Sequence, residues 1–181
     1  PGDGDYTLTV SATDAAGNAS ASSTSASYTL DTVAQAPTVA RLTPASSPAT
    51  ATSATFSIAD NELLGGPDTF SCTWSGPGIT APTAAPCASG DSFPAATEGT
   101  YSLSVTATDG FGNTSVAATA GYTADLSAQA PTVSLLSPAS SPAASSLPAF
   151  AIADNELIDG PDTFSCTWSG PAIVVPTAAP C

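Results

Sequence analysis

The sequence predicts an all-β chain of tandem β-sandwich units on a 94-residue repeat. Three observations carry this. Tyr101, Leu103, Val105 and Ala107 alternate with Ser102, Ser104, Thr106 and Thr108, the period of two that sends apolar side chains to one face of a strand. Cys72, Trp74 and Cys87 recur 94 residues later as Cys166, Trp168 and Cys181. No amphipathic pattern with helical spacing runs beyond a turn.

At the N-terminus Tyr6, Leu8, Val10 and Ala12 alternate with Thr7, Thr9, Ser11 and Thr13, and Asp14–Asn18 ends the strand with turn residues. Asp109–Asn113 ends the matching strand near Thr100–Thr108 in the same way. Tyr6 precedes Tyr101 by 95 residues and Tyr28 precedes Tyr122 by 94, so the loop after Asn18 holds one extra residue. The complete unit starts at Pro37 and should hold about seven strands with Greek-key links. They are expected near Thr38–Thr43, Ala54–Ala59, Thr69–Ser75, Gly78–Ala81, Asp91–Phe93, Thr100–Thr108 and Thr114–Ala124, with prolines between them or on edges. Pro131 opens a further copy, identical at 36 of 51 positions to residues 37–87. The expected domains are therefore 1–36, the C-terminal part of a unit; 37–130, a whole unit; and 131–181, the N-terminal half of the next. Both ends fall inside a unit, so a longer array is expected.

The run FSCTWSG…APC…EGTYSLSVTATDGFGNTS, followed by an APTV linker, resembles the bacterial Ig-like repeats of large secreted and surface-anchored proteins. The resemblance implies Ig-like or fibronectin type III-like sandwiches and an extracellular, prokaryotic setting. It leaves function open, because such repeats serve as stalks, adhesin extenders and enzyme spacers alike. Lysine-derived isopeptide cross-links, found in some relatives, are impossible in a chain with no lysine. Tyr101 after Gly99, and Tyr6 likewise, resemble the tyrosine corner of Ig-like sandwiches. Trp74 and Trp168 are expected in the core against a disulfide, as in Ig domains; the alternative is a sugar-stacking role.

The simplest cysteine pairing is Cys72–Cys87 and Cys166–Cys181, each closing a local loop worth roughly 3 kcal/mol in the chain-entropy model. A zinc site would have two thiolates per unit and no histidine, and a redox pair is more often CxxC. Disulfides imply an oxidising compartment.

The chain carries one basic residue, Arg41, against 15 acidic ones, a formal charge of −14. Nucleic acid and anionic membrane surfaces are thereby excluded as partners, and no apolar run approaches a membrane span. Cations are the natural counterpart of such a surplus. Asp60-Asn61-Glu62 follows the second strand, Asp109 ends the sixth, and Asp31 precedes the unit. In an Ig-type topology these meet at one pole, and Asp125, Asp154 and Glu156 repeat the arrangement at the next junction. Such oxygen-only sets suit Ca²⁺, as in calcium-rigidified arrays, although Asp and Asn also simply cap turns. No other cofactor is expected.

With no histidine and no lysine the commonest bases and nucleophile partners are missing, so no enzyme is expected. Asn18-Ala19-Ser20 and Asn113-Thr114-Ser115 match the N-glycosylation sequon in turns expected to be exposed. The leading expectation is a stalk or fibre whose partners are neighbouring repeats. One alternative is an adhesin or carbohydrate-binding module using loops at one pole, where Phe111 is the aromatic candidate. Another is a filament in which half-units of identical chains complete each other.

Overall fold

The computed structural model describes residues 2–144, 146–158, 160–171, 173 and 177–181, and among them there is no helix. The chain gathers into two compact units, Pro1–Ala124 and Asp125–Cys181.

In the first unit the N-terminal copy is one long hairpin. β1 (Gly4–Tyr6) pairs with β4 (Tyr28–Leu30), and β2 (Thr9–Val10) with β3 (Ser23–Thr24). The complete copy follows as β5 (Thr38–Thr43), β6 (Ser53–Ala59), β7 (Thr69–Ser75), β8 (Ala84–Cys87), β9 (Ser92–Pro94), β10 (Gly99–Thr108) and β11 (Ala118–Ala124). These seven strands form two antiparallel sheets, β5-β6-β9 and β11-β10-β7-β8. The chain crosses between sheets after β6, β8 and β9, which makes the Greek key.

The alternation read in the sequence becomes the core. Tyr101, Leu103, Val105 and Ala107 of β10 are buried, as are Phe56 and Ile58 of β6 and Cys72 and Trp74 of β7. Trp74 bridges the sheets: it stacks on Tyr101 at 5.3 Å and 7° and meets Phe56 edge-on at 5.7 Å. Its indole N–H donates to the Pro94 carbonyl at 2.7 Å. Burying such side chains contributes roughly 1.5–3 kcal/mol each.

Two expected strands move. Gly78–Ala81 is turn, and the edge strand is instead Ala84–Cys87. Pro77 and Pro82 offer no N–H to a ladder, and Ile79 N–H closes a turn onto the Gly76 carbonyl at 3.1 Å. Pairing on β7 therefore begins beyond Pro82, with Cys72 opposite Ala85, and Pro86 is tolerated because β8 is the sheet's edge. The last strand starts at Ala118 rather than Thr114, because the Ser115 hydroxyl replaces a carbonyl in the ladder. It accepts from Ala107 N–H at 2.9 Å and donates to the Val116 carbonyl.

In the second unit β12 (Thr132–Ser137) pairs with β13 (Ala149–Ala153) and β14 (Ser165–Thr167) with β15 (Ala178–Pro180). The registers repeat the complete copy: Thr132 opposes Ala153 as Thr38 opposes Ala59, and Cys166 opposes Ala179 as Cys72 opposes Ala85. Among the described residues no strand corresponds to β9, β10 or β11.

Candidate functional site

The acidic residues singled out in the sequence gather where the β6–β7 and β10–β11 loops of the complete copy receive the incoming segment 31–37. Each loop is built by its own carboxylate. Asp109 Oδ1 accepts from the N–H groups of Phe111 (2.8 Å) and Asn113 (2.9 Å), and its Oδ2 accepts from the Asn113 side chain at 2.7 Å. Asp60 accepts from Glu62 N–H at 2.8 Å and, across eight residues, from Asp68 N–H at 3.0 Å. Gly110 N–H donates to the Gly65 carbonyl at 3.2 Å, which stitches the two loops together. A Cβ at Gly110 would lie 2.3 Å from that carbonyl oxygen, so the contact requires glycine.

The entering segment is held by both loops. Glu62 Oε2 accepts from Gln35 N–H at 2.8 Å, Asn61 donates to the Ala36 carbonyl at 2.8 Å, and Asn113 donates to the Asp31 carbonyl at 3.3 Å. Ala34 is buried between these contacts. The second unit repeats the clamp: Glu156 accepts from Gln129 N–H at 3.1 Å, Asn155 donates to the Ala130 carbonyl at 2.8 Å, and Asp154 accepts from Glu156 and Asp162 N–H, each at 2.8 Å. A carboxylate oxygen of Asp125 lies within 4.8 Å of one from Glu156.

The carboxylates divide by electrostatics. N–H donors hold Asp60 below its ordinary pKa, from Asp68 and Glu62, and likewise Glu62, chiefly from Gln35 and Leu64. Burial raises Asp109, but the Asn113 side chain and the N–H groups of Asn113, Phe111 and Gly112 outweigh it, and the net shift is downward. Asp154 and Glu156 are lowered too, by Asp162 and Glu156 N–H and by Leu157 and Gln129 N–H respectively. Asp31 and Asp68 go the other way. Burial is the largest cause for both; like charges on Asp109, Glu62 and Asp3 add to it for Asp31, and those on Asp60, Glu62, Asp109 and Asp31 for Asp68. Asp31 Oδ2 and both carboxylate oxygens of Asp68 are buried and accept no hydrogen bond.

Asp68 was not singled out by sequence reasoning. PDTFSCTWSG stands unchanged in both copies, so Asp68 and its counterpart Asp162 recur just before the strand expected from Thr69. The signal was their position eight residues after Asp60 and Asp154, in the same loop.

The other named residues fall as follows. Cys72–Cys87 and Cys166–Cys181 are disulfide-bonded, with Cα atoms 5.8 Å apart in each; the first links neighbouring strands β7 and β8, and the second joins β14 to the residue that follows β15. The Tyr101 hydroxyl donates to the Thr97 carbonyl at 2.6 Å and accepts from Thr97 N–H at 3.1 Å. The Tyr6 hydroxyl donates to the Gly2 carbonyl, the same four-residue reach. In the two partial copies Trp168 is 58 % exposed and Tyr6 38 %. Trp168 meets Phe150 at 5.7 Å. Asn113, the second expected glycan position, is tied into its turn. Its amide nitrogen donates to Asp109 and Asp31, so both N–H groups are spent inside the fold. Asn18 is exposed and donates to Asp14 at 2.8 Å. Phe111 is exposed at the rim of the pole.

A search of curated proteins returns no match for the chain. Residues 2–39 match the family model of the bacterial Ig-like domain (group 3). Those residues hold the strand, turn and linker that recur in the complete copy, so the match is consistent with a bacterial Ig-like repeat.

Proposed function

We propose that the chain is a section of an extracellular stalk or fibre, in which tandem disulfide-bonded Ig-like units hold a functional tip, or cells, away from a surface. The observation that carries this reading is the clamp on each entering linker. Gln35 and Ala36 are tied to Glu62 and Asn61, and Gln129 and Ala130 are tied to Glu156 and Asn155 in the same pattern. A linker whose backbone is hydrogen-bonded to the loops of the following unit bends less than a free one, and Pro37 and Pro131 stiffen the entry. A rod needs restricted bending; a set of independent binding modules does not. The disulfide in each unit suits an oxidising setting. Phe111 alone makes a weak case for ligand binding at the pole, since the N-terminal copy has Ala16 in its place.

Electron microscopy of the purified parent protein tests this. A thin beaded rod advancing about 40 Å per bead, a length set by a nine- or ten-residue strand plus loops, is expected. Separate compact particles or a freely jointed string would overturn it.

A further inference from the structure

We propose that the N-terminal hairpin of one copy of this chain seats in an apolar groove on the second unit of another copy, joining the two by strand addition. The groove runs between the strand pairs β12-β13 and β14-β15. Val133, Leu135, Phe150, Ile152, Cys166 and Trp168 line clefts of about 460, 380 and 430 Å³ along it. Val133, Phe150 and Trp168 are exposed there, and contiguous apolar surface of this kind marks a place of contact. Among the described residues β14 pairs with β15 along one side and with no strand along the other, so its free N–H and C=O groups offer a template for a further strand.

The complete copy shows what fits such a groove. There β10 lies along β7 with Leu103 opposite Trp74, Val105 opposite Cys72 and Ala107 opposite Phe70, and all three β10 side chains are buried. Trp168, Cys166 and Phe164 stand in the second unit where Trp74, Cys72 and Phe70 stand in the complete copy. The N-terminal hairpin carries Tyr6, Leu8, Val10 and Ala12 in the places of Tyr101, Leu103, Val105 and Ala107, and all four are exposed. Laid along β14 as β10 lies along β7, the hairpin sets Leu8 opposite Trp168, Val10 opposite Cys166 and Ala12 opposite Phe164. It then extends β14-β15 to a four-stranded sheet, with main-chain bonds for affinity and alternate side chains for specificity. The hairpin is already paired through Gly4–Leu30 and Thr9–Thr24, so little ordering is left for binding.

A second copy is the occupant because the side chains that match the groove belong to this chain's own repeat, and exchange of an identical element between copies needs no new surface. None of the four hairpin residues or the six groove residues is charged. The formal charge of −14 therefore opposes the contact only from a distance, where salt screens it. The donor face and the acceptor face are different surfaces, so the contact is heterologous and can propagate from copy to copy. The inference does not rest on the stalk reading. A beaded rod that stays monomeric would keep the stalk and remove the exchange.

The test follows the 181-residue chain by size exclusion with light scattering, from about 1 to about 100 µM protein. Monomer is expected when dilute, with Trp168 and Tyr6 exposed, and a ladder of dimers and longer species when concentrated. Raising NaCl from about 0.01 to about 0.15 M should lengthen the ladder. Leu8→Asp spoils the donor and Trp168→Asp the acceptor, because each puts a charge into the apolar contact. Either variant alone should join at least about tenfold more weakly than the parent. An equimolar mixture of the two should form dimers and nothing longer, since one good donor and one good acceptor remain. The mixture also guards against a misfolded variant: Leu8→Asp leaves the second unit untouched, and Trp168→Asp leaves the hairpin untouched. A monomer at every concentration would overturn the proposal, whether the groove stays open or is filled from within the same chain. So would a full ladder from either variant alone, which would mean unspecific adhesion, or a mixture without dimers.

Discussion

Trp74 and Trp168 occupy identical FSCTWSG stretches, yet the first is 8 % exposed and the second 58 %. Tyr101, Leu103 and Val105 are buried on β10, while their counterparts Tyr6, Leu8 and Val10 are exposed on the N-terminal hairpin. Between these copies the local structure hardly changes. Strand register, disulfide and corner tyrosine recur, and Asp14 takes N–H groups from Ala16 and Asn18 as Asp109 does from Phe111 and Asn113. The difference separates two kinds of information. Pairing and turns are written into stretches of fifteen to thirty residues, roughly a hairpin's length. Burial depends on the whole sandwich, and among the described residues only the complete copy has all seven strands.

The largest expected effect follows directly. Trp74→Ala should destabilise the complete unit by about 3–5 kcal/mol, since it vacates the contact between Phe56, Phe93 and Tyr101 and leaves the Pro94 carbonyl without its donor. Trp168→Ala should cost less than about 1 kcal/mol in this chain, as expected where little area leaves water. Urea denaturation of the two variants measures both. Equal losses would break the comparison by showing that Trp168 is covered in solution.

The same division explains what the sequence could and could not reveal. Strand positions Thr38–Thr43 and Thr69–Ser75 follow from alternation and bounding prolines, because a period of two is a local property. The strand at Ala84–Cys87 was misplaced to Gly78–Ala81, because its position is set by which residues of β7 lie opposite, and an edge proline does not announce itself. At the acidic pole the grouping of Asp31, Asp60, Glu62 and Asp109 was legible from topology. The division of labour within it was not. Whether a carboxylate caps its own loop or is left buried depends on N–H groups that arrive from Gln35, 27 residues from Glu62, or from Asp68, eight residues from Asp60. Asp68 escaped notice for that reason: nothing in Pro67-Asp68-Thr69 states that its oxygens are cut off from water.

A smaller effect sharpens the contrast at the two corner tyrosines. Tyr101→Phe removes a hydroxyl that both donates to and accepts from Thr97 inside the fold, and should cost about 1–2 kcal/mol. Tyr6→Phe removes the corresponding bond to Gly2 where water can replace it, and should fall within about 0.5 kcal/mol of the parent. Comparing midpoints of chemical unfolding separates the two. A large loss for Tyr6→Phe would mean that the N-terminal hairpin is packed, not solvated.

The smallest effect concerns the two Asp–Asn turns, where the copies should agree. Asp14 is lowered first by the Asn18 side chain and then by N–H donors. Asp109 is raised by burial but lowered on balance by the Asn113 side chain and its neighbouring N–H groups. A carboxylate lowered in the folded state stabilises its turn above the unfolded value of about 4, and that contribution is lost as pH falls through the folded value. The side-chain amide signals of Asn18 and Asn113 in NMR spectra should therefore hold steady from neutral pH to about 4 and shift only below it. If Asn113 behaves so while Asn18 titrates at the ordinary carboxylate pH, the turn needs the packed sandwich behind it, and fewer features of this repeat are locally encoded than its two matching hydrogen-bond patterns indicate.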